Sequence, residues 1–288
     1  MKEFIELTLE EQSYFSREAF NTLRTNILFS GKDVKSIVIT SCLANEGKTT
    51  IAMELAKSLA ENGKKVLLID ADLRKSVMVT RYTKAHGVYG LSQVLSGQIE
   101  PEAAIYGTQV QNLDLIFAGP FPPNPTELLG SDAFKELMDY TRDSYDYILI
   151  DAAPLGLVID SAVMASVCDG AVLVLNVGVV KHRFAQEVKA QLQKSGCKIL
   201  GVILNKVGKK RVGGYGYYNG YGGYKSYGYG YGYGYGYGYG YGYGYGYGYG
   251  YGYGAHSHRK KNLIQRLRAR VKGTPEDQTK VENPYKLP

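Results

Sequence analysis

"SIVITSCLANEGKTTIAMELA", residues 36–56, is the stretch whose reading decides the fold. It opens on β-branched and aliphatic residues, passes through a loop that closes on Gly47-Lys48-Thr49-Thr50, and continues with helical spacing. A strand, a loop ending in glycine and a helix, in that order, place backbone N–H groups and the positive end of a helix where an anion can rest. Glu46, Gly47, Lys48, Thr49 and Thr50 are therefore the expected phosphate-binding stretch of a nucleotide site. In such a site Lys48 reaches the β and γ oxygens and Thr49 offers its hydroxyl to Mg²⁺. The leading glycine of the usual GxxxxGK[ST] string would fall at Cys42, so that string is not matched.

Outward from this segment, "KVLLID" (65–70), "LDLIFAG" (113–119), "YDYILID" (145–151), "AVLVLNV" (171–177) and "KILGVILN" (198–205) are further continuous apolar runs. Such runs suit strands covered on both faces. Helical patterns are expected over about 49–61, 131–142, 160–167 and 183–195. The alternation predicts an α/β fold, a doubly wound, mostly parallel sheet with helices on both faces. Ligands of that architecture lie beyond the carboxyl ends of the strands. Two more strand ends carry acids there: "VLLIDADLRK" places Asp70 and Asp72 at alternating positions, and "YILIDAAP" supplies Asp151. A lone acid after a strand can simply cap the next helix. Three beside one phosphate loop point to a nucleotide site, with Asp151 placed to hold Mg²⁺ directly or through water, and leave the reaction open.

Ahead of the first strand, "EEQSYFSREAFNTLRTNILF" predicts an amphipathic helix with Phe20, Leu23, Ile27 and Leu28 on one face. Behind the last strand the pattern collapses into tyrosine alternating with glycine. Glycine at every second position makes ordering costly and the repeat carries no aliphatic residue to offset it, so 208–258 is expected to be disordered. "HRKKNLIQRLRARVKG" then regains helical spacing through Leu263, Leu267 and Val271 on a basic background. Four segments result: 1–34, an N-terminal helix and oligomer-interface segment; 35–207, the ATP-binding domain; 208–258, the tyrosine/glycine tail; and 259–288, a basic amphipathic end.

The net charge of +7 is unevenly divided. Residues 1–205 carry 20 Lys+Arg against 24 Asp+Glu, whereas 206–288 carry 14 against 3. A mildly acidic domain with a basic tail suits an anionic membrane surface better than a nucleic-acid partner. The three cysteines, Cys42, Cys168 and Cys197, lack CxxC spacing, which argues for a reducing compartment and against a disulfide or iron–sulfur framework. No apolar run approaches the roughly 20 residues of a membrane-spanning helix, and no export signal is expected.

The incomplete phosphate loop, "IDADLR", "IDAAP", "GPFPPNPTELL", "EAFNTLRTNI" and the tyrosine-rich tail together resemble the cytoplasmic Gram-positive form of the bacterial tyrosine kinases of capsule and exopolysaccharide synthesis. The resemblance covers residues 10–206. It implies ATP- and Mg²⁺-dependent tyrosine phosphorylation, a ring of copies presenting tails to one another, a separate membrane activator or polysaccharide co-polymerase, a cognate tyrosine phosphatase, other protein substrates, and a place at the inner face of the membrane. By the same resemblance Lys48, Asp70, Asp72 and Asp151 form the catalytic set, Thr49, Asp72 and Asp151 are the metal ligands, and Asn205 sits where related ATPases contact adenine. Glu18 and Arg24 belong to an ExxRxxR interface motif whose middle arginine is replaced by Asn21. Tyr215, Tyr217, Tyr218, Tyr221, Tyr224 and Tyr227 are the expected acceptors in the irregular part of the tail, and the regular repeat after them is equally compatible with replication slippage. Each phosphate would add about −1.5 to −2 charge, enough in number to reverse the tail's sign. Two other readings stand beside this one. A partitioning-type switch ATPase ending in a basic helix would carry a lysine where Leu43 stands, and an aromatic scaffold would leave the three acids without a task.

Overall fold

The computed structural model describes residues 3–207. The expected acceptor tyrosines, the disorder of 208–258 and the basic helical end lie outside the described residues. Among those described, eight strands form one sheet in the order β1-β4-β5-β3-β6-β2-β7-β8. The strands are β1 (Glu3–Ile5), β2 (Ser36–Ser41), β3 (Val66–Asp70), β4 (Tyr106–Thr108), β5 (Leu113–Ile116), β6 (Tyr147–Asp151), β7 (Gly170–Asn176) and β8 (Ile199–Asn205). Neighbours run parallel except β4 and β5, which run antiparallel. The mostly parallel doubly wound sheet expected from the apolar runs is therefore present, extended at one edge by β1 and β4. Those two strands escaped sequence reading because each is only three residues long and carries no apolar run.

Successive residues of the central strands divide between the two faces. Val38, Leu67, Ile69, Ile148 and Ile150 enter one core, whereas Ile37, Ile39, Val66, Leu68 and Leu149 enter the other. Each fully buried aliphatic side chain contributes about 1.5–3 kcal/mol. The second core is covered by α1 (Tyr14–Leu28), α2 (Lys48–Glu61) and α3 (Met78–Tyr82). The first is covered by α4 (Leu91–Leu95), α5 (Pro101–Ala104), α6 (Pro125–Leu129), α7 (Asp132–Arg142), α8 (Asp160–Ala165) and α9 (His182–Gln193). Helices α3 to α6 have only four or five residues, too few for a helical period to register.

The amphipathic N-terminal segment forms α1, capped by Ser13, whose hydroxyl accepts from the Ser16 N–H. Its apolar face packs as expected: Ile27 is buried, and Phe20, Leu23 and Leu28 lie against the core that contains α2. Polar contacts fasten it further. Arg24 Nη1 donates to the carbonyl and hydroxyl of Ser58 at 3.1 and 3.0 Å, and Gln12 donates to Glu54. Arg24, expected at a contact between copies, is thus engaged within its own chain, while Glu18 remains exposed and accepts from Asn21 at 3.1 Å. No helix among the described residues is long and apolar enough to cross a membrane.

Candidate active site

In the sheet, though not in the sequence, β3, β6 and β2 are consecutive. Their carboxyl ends therefore assemble the phosphate loop after β2, Asp70 at the end of β3 and Asp151 at the end of β6. Asp70 and Asp151 stand directly opposite each other in the register of β3 and β6.

The loop explains how it closes without the leading glycine. Left-handed backbone occurs at Asn45 (φ 62°) and Gly47 (φ 92°), and Cys42 is not among the positive-φ residues. Cys42 needs no glycine's freedom and is instead buried in the core. Glu46 is 1 % exposed; its carboxylate accepts from the Leu43 N–H at 2.7 Å and the Asn176 N–H at 2.8 Å. Its carboxylate braces the loop from within, so the contact with nucleotide expected of this residue would fall to its backbone. Asn205, at the end of β8, donates Nδ2 to the Glu46 carbonyl at 2.8 Å. A Cβ at Gly47 would lie 2.2 Å from that Nδ2. Gly47→Ala combines this clash with a left-handed backbone that costs about 1–2 kcal/mol. It is expected to weaken binding of a fluorescent ATP analogue by roughly ten-fold or more; affinity equal to that of the parent chain would show that the loop adapts.

Lys48 begins α2, where the helix dipole already favours anions. Its ammonium lies 3.0 Å from Asp72 Oδ2 and 3.6 Å from Asp151 Oδ1. Burial alone would lower its pKa, but Asp151 and Asp72 outweigh burial and hold it raised. Burial raises the pKa of Asp151, opposed by Lys48 and a hydrogen bond from Thr49. Burial also raises Asp70, and the adjacent Asp151 charge adds to the rise. Asp70 is fully buried, accepting from the Ser76 hydroxyl and, at 3.3 Å, from the Asp72 N–H.

A cavity of about 220 Å³ opens over this cluster, bordered by Gly47, Lys48, Thr49, Thr50 and Asp72. Asp70, Asp151, Glu46 and Asn205 do not border it; the first two lie beneath, and the last two hold the loop. The residues present suit a magnesium ion. Asp151 Oδ1 is buried without a hydrogen-bond partner, and Thr49 and Asp72 supply hard oxygen donors beside it. No group of three or more His, Cys, Asp or Glu side chains among the described residues is arranged to hold a metal alone. Magnesium characteristically completes its shell with phosphate and water oxygens.

Sequence reading missed three residues at this cavity. Arg74 makes a forked ion pair with the buried Asp160, Nε to Oδ2 at 2.7 Å and Nη2 to Oδ1 at 3.2 Å, and Nη2 also donates to Thr126 at 2.8 Å. Thr126 in turn donates to Asp160 at 2.6 Å. This network ties the segment after β3 to α6 and α8. Lys75 and Arg81 border the same cavity. The only sequence signal for Arg74 was its place in "IDADLR", because its partner lies 86 residues away.

Residues 34–177 match the family described as an AAA domain. The chain is 44 % identical over 211 residues to the tyrosine-protein kinase CpsD of Streptococcus agalactiae, covering 73 % of this chain and 92 % of that one. Among solved structures, the kinase domain of the Escherichia coli tyrosine kinase ETK matches with a TM-score of 0.64 at 32 % identity, over 70 % of this chain and 80 % of the other. The septum site-determining protein MinD of Pyrococcus horikoshii, solved with Mg-ADP, matches at 0.51 and 30 % identity, over 62 % and 72 %. The phosphate loop on β2, the acids on β3 and β6 and these likenesses agree: the chain belongs to the bacterial tyrosine-protein kinases, enzymes built on the P-loop ATPase fold.

Proposed function

We propose that this chain transfers the γ-phosphoryl group of ATP, with Mg²⁺, to tyrosines in the C-terminal cluster of a neighbouring copy, and that this autophosphorylation regulates capsular or exopolysaccharide synthesis and export. The observation that carries the reading is the grip of Lys48 on Asp72 and Asp151 at the start of α2. An ammonium held by two acids at the N-terminus of a helix stands where phosphate charge would collect. With nucleotide bound, Lys48 would turn from these acids to phosphate oxygens, leaving Asp72 and Asp151 as oxygen donors that could hold Mg²⁺.

Thr49, Asp72 and Asp151 are the residues that would hold Mg²⁺, which when bound neutralises charge on the phosphate oxygens. Lys48 and the first-turn N–H groups of α2 orient the phosphates. A phenol has a pKa near 10 and is a poor nucleophile until its proton has somewhere to go. Asp70, with its raised proton affinity, is suited to take it. Asp70 lies beneath the cavity and accepts from Ser76 and the Asp72 N–H, so an incoming hydroxyl would use one of its remaining lone pairs after a local movement. Asn205 would lie beside the adenine, though its amide is committed to the loop at Glu46.

The partners that fit this reading are a membrane activator supplying the anchor, other copies of the chain in a ring, a cognate phosphatase and further protein substrates. The test incubates the full chain with ATP and Mg²⁺, with the cytoplasmic part of the activator, and maps phosphate by mass spectrometry. Phosphotyrosine confined to residues 215–285, and lost when EDTA removes the metal, is the expected outcome. ATP hydrolysis without phosphotyrosine in the presence of activator would replace this reading with that of a switch ATPase.

A further inference from the structure

The cavity holds more than a nucleotide's phosphates require. Beside Lys48 it borders three further cations, Arg74, Lys75 and Arg81. Arg74 is consumed by Asp160 and Thr126. Lys75 and Arg81 are exposed and form no ion pair with an acid among the described residues. Arg81 is held over the Tyr82 ring at 5.4 Å, so its direction is set by its own helix. The same cavity is bordered by Val77, Pro154, Leu157 and Val158, an apolar surface that no phosphate would seek. Leu157 is 59 % exposed and Val77 39 %.

An apolar surface next to two cations without an acidic partner among the described residues suits a ligand that is aromatic at one point and anionic at another. The chain itself contains such a ligand once modification has begun. Tyrosine occupies every second position from Tyr227 to Tyr253 with glycine between. In an extended segment, residues two apart point to the same side, about 7 Å from one another. Glycine adds no side chain that would keep the phenols from entering a narrow cavity. A phosphotyrosine two positions from a free tyrosine would therefore face the same cavity as its neighbour.

Resting on the kinase reading above, we propose that the cavity engages two tyrosines of a second copy's tail at once. The reacting ring lies on Val77, Pro154, Leu157 and Val158, and an already phosphorylated neighbour is held by Lys75 and Arg81. Each transfer forms an O–P bond at the phenol, breaks the β–γ bridge, releases ADP and passes the phenol proton to a carboxylate. The phosphotyrosine so made becomes the handle for the next acceptor. The tail is then modified in runs of adjacent tyrosines, and the regular Tyr-Gly spacing has a use that a cluster of the same size without register would lack.

The test uses the full-length wild-type chain with its activator and two peptides of the Gly-Tyr repeat, identical except that one carries phosphotyrosine two positions from the acceptor. The primed peptide is expected to show a KM about five-fold lower, and in the Lys75→Ala/Arg81→Ala chain the ratio of the two KM values should fall to about one. Equal KM values in the wild-type chain would overturn the proposal. So would a double variant that raises the KM for ATP and leaves the peptide ratio intact, because the cations would then serve the nucleotide alone. If neither peptide is phosphorylated while ATP is turned over, the kinase reading itself falls, and this inference with it. A unit ratio in the wild-type chain with both peptides phosphorylated overturns the inference and leaves the kinase reading standing.

Discussion

Replacing Lys48 with Met is expected to lower tyrosine phosphorylation by about 10³-fold or more, because one substitution removes the cation proposed to hold the phosphates and leaves Asp72 and Asp151 without their shared partner. Lys48 is the cation within 4 Å of both Asp72 and Asp151. Without it the site changes from balanced to anionic, and nucleotide affinity falls together with the rate. Breaking a buried pair by deleting one partner costs up to about 3–5 kcal/mol. Here the cost is smaller, since Lys48 and Asp72 are slightly exposed and Asp151 can take up a proton. The variant should therefore melt closest to the parent chain at low pH and diverge as pH rises. Phosphotyrosine immunoblots together with thermal melts at two pH values measure both effects. Retention of more than a tenth of parental phosphorylation would remove Lys48 from the mechanism.

Asp70→Asn is expected to act in opposite directions on stability and activity. Asp70 and Asp151 are buried, adjacent acids, and the folded-state pKa of each is raised, first by burial. A carboxyl raised in the folded state binds more protons folded than unfolded. Its stabilising contribution is complete below the unfolded value near 4 and is lost as pH rises through the raised folded value. At pH 8 the parent chain without nucleotide thus bears the strain of neighbouring charges. Asn removes one of them. It also forfeits one acceptor site, because Ser76 and the Asp72 N–H both donate to Asp70 and an amide nitrogen cannot receive either. That loss, about 1 kcal/mol, offsets part of the gain. The expected balance is about 1–2 kcal/mol of added stability at pH 8, shrinking toward pH 5, with transfer reduced by about 10²–10⁴-fold. Urea unfolding at the two pH values reads the first effect. A variant less stable than the parent at pH 8 would mean that Asp70 is already protonated there and serves as a hydrogen-bonded structural group.

Much of this architecture is legible in the amino-acid sequence, for a physical reason. The inner stretches 37–39 of β2 and 67–69 of β3 are covered on both faces, so each residue there must be apolar and the run is continuous. The phosphate loop is legible because its glycine and the helix after it are adjacent in the chain. Roles that depend on distant partners are not legible. Glu46 looks like part of a binding loop until Leu43 and Asn176 are seen to consume its carboxylate. Arg24 matches an interface motif, but its place against Ser58 depends on how α1 crosses α2. Arg74 and Asp160 meet because α8 follows β6, which the sheet inserts between β2 and β3.

The end of β8 carries a mechanical implication. Asn205 holds the Glu46 carbonyl at 2.8 Å, and the next residue, Lys206, reaches the Asn45 carbonyl at 3.0 Å. Past Val207 the chain continues into the tyrosine-bearing segment. The root of that segment and the two residues before Gly47 therefore share one mooring. Tension at Lys206 would load the end of β8, where Asn205 pairs with Asn176, and through these two hydrogen bonds the nucleotide loop as well. The strand end from which the chain leaves the sheet is thus tied to the loop ahead of α2, so that a displacement at Lys206 would be felt at Asn45 and Glu46.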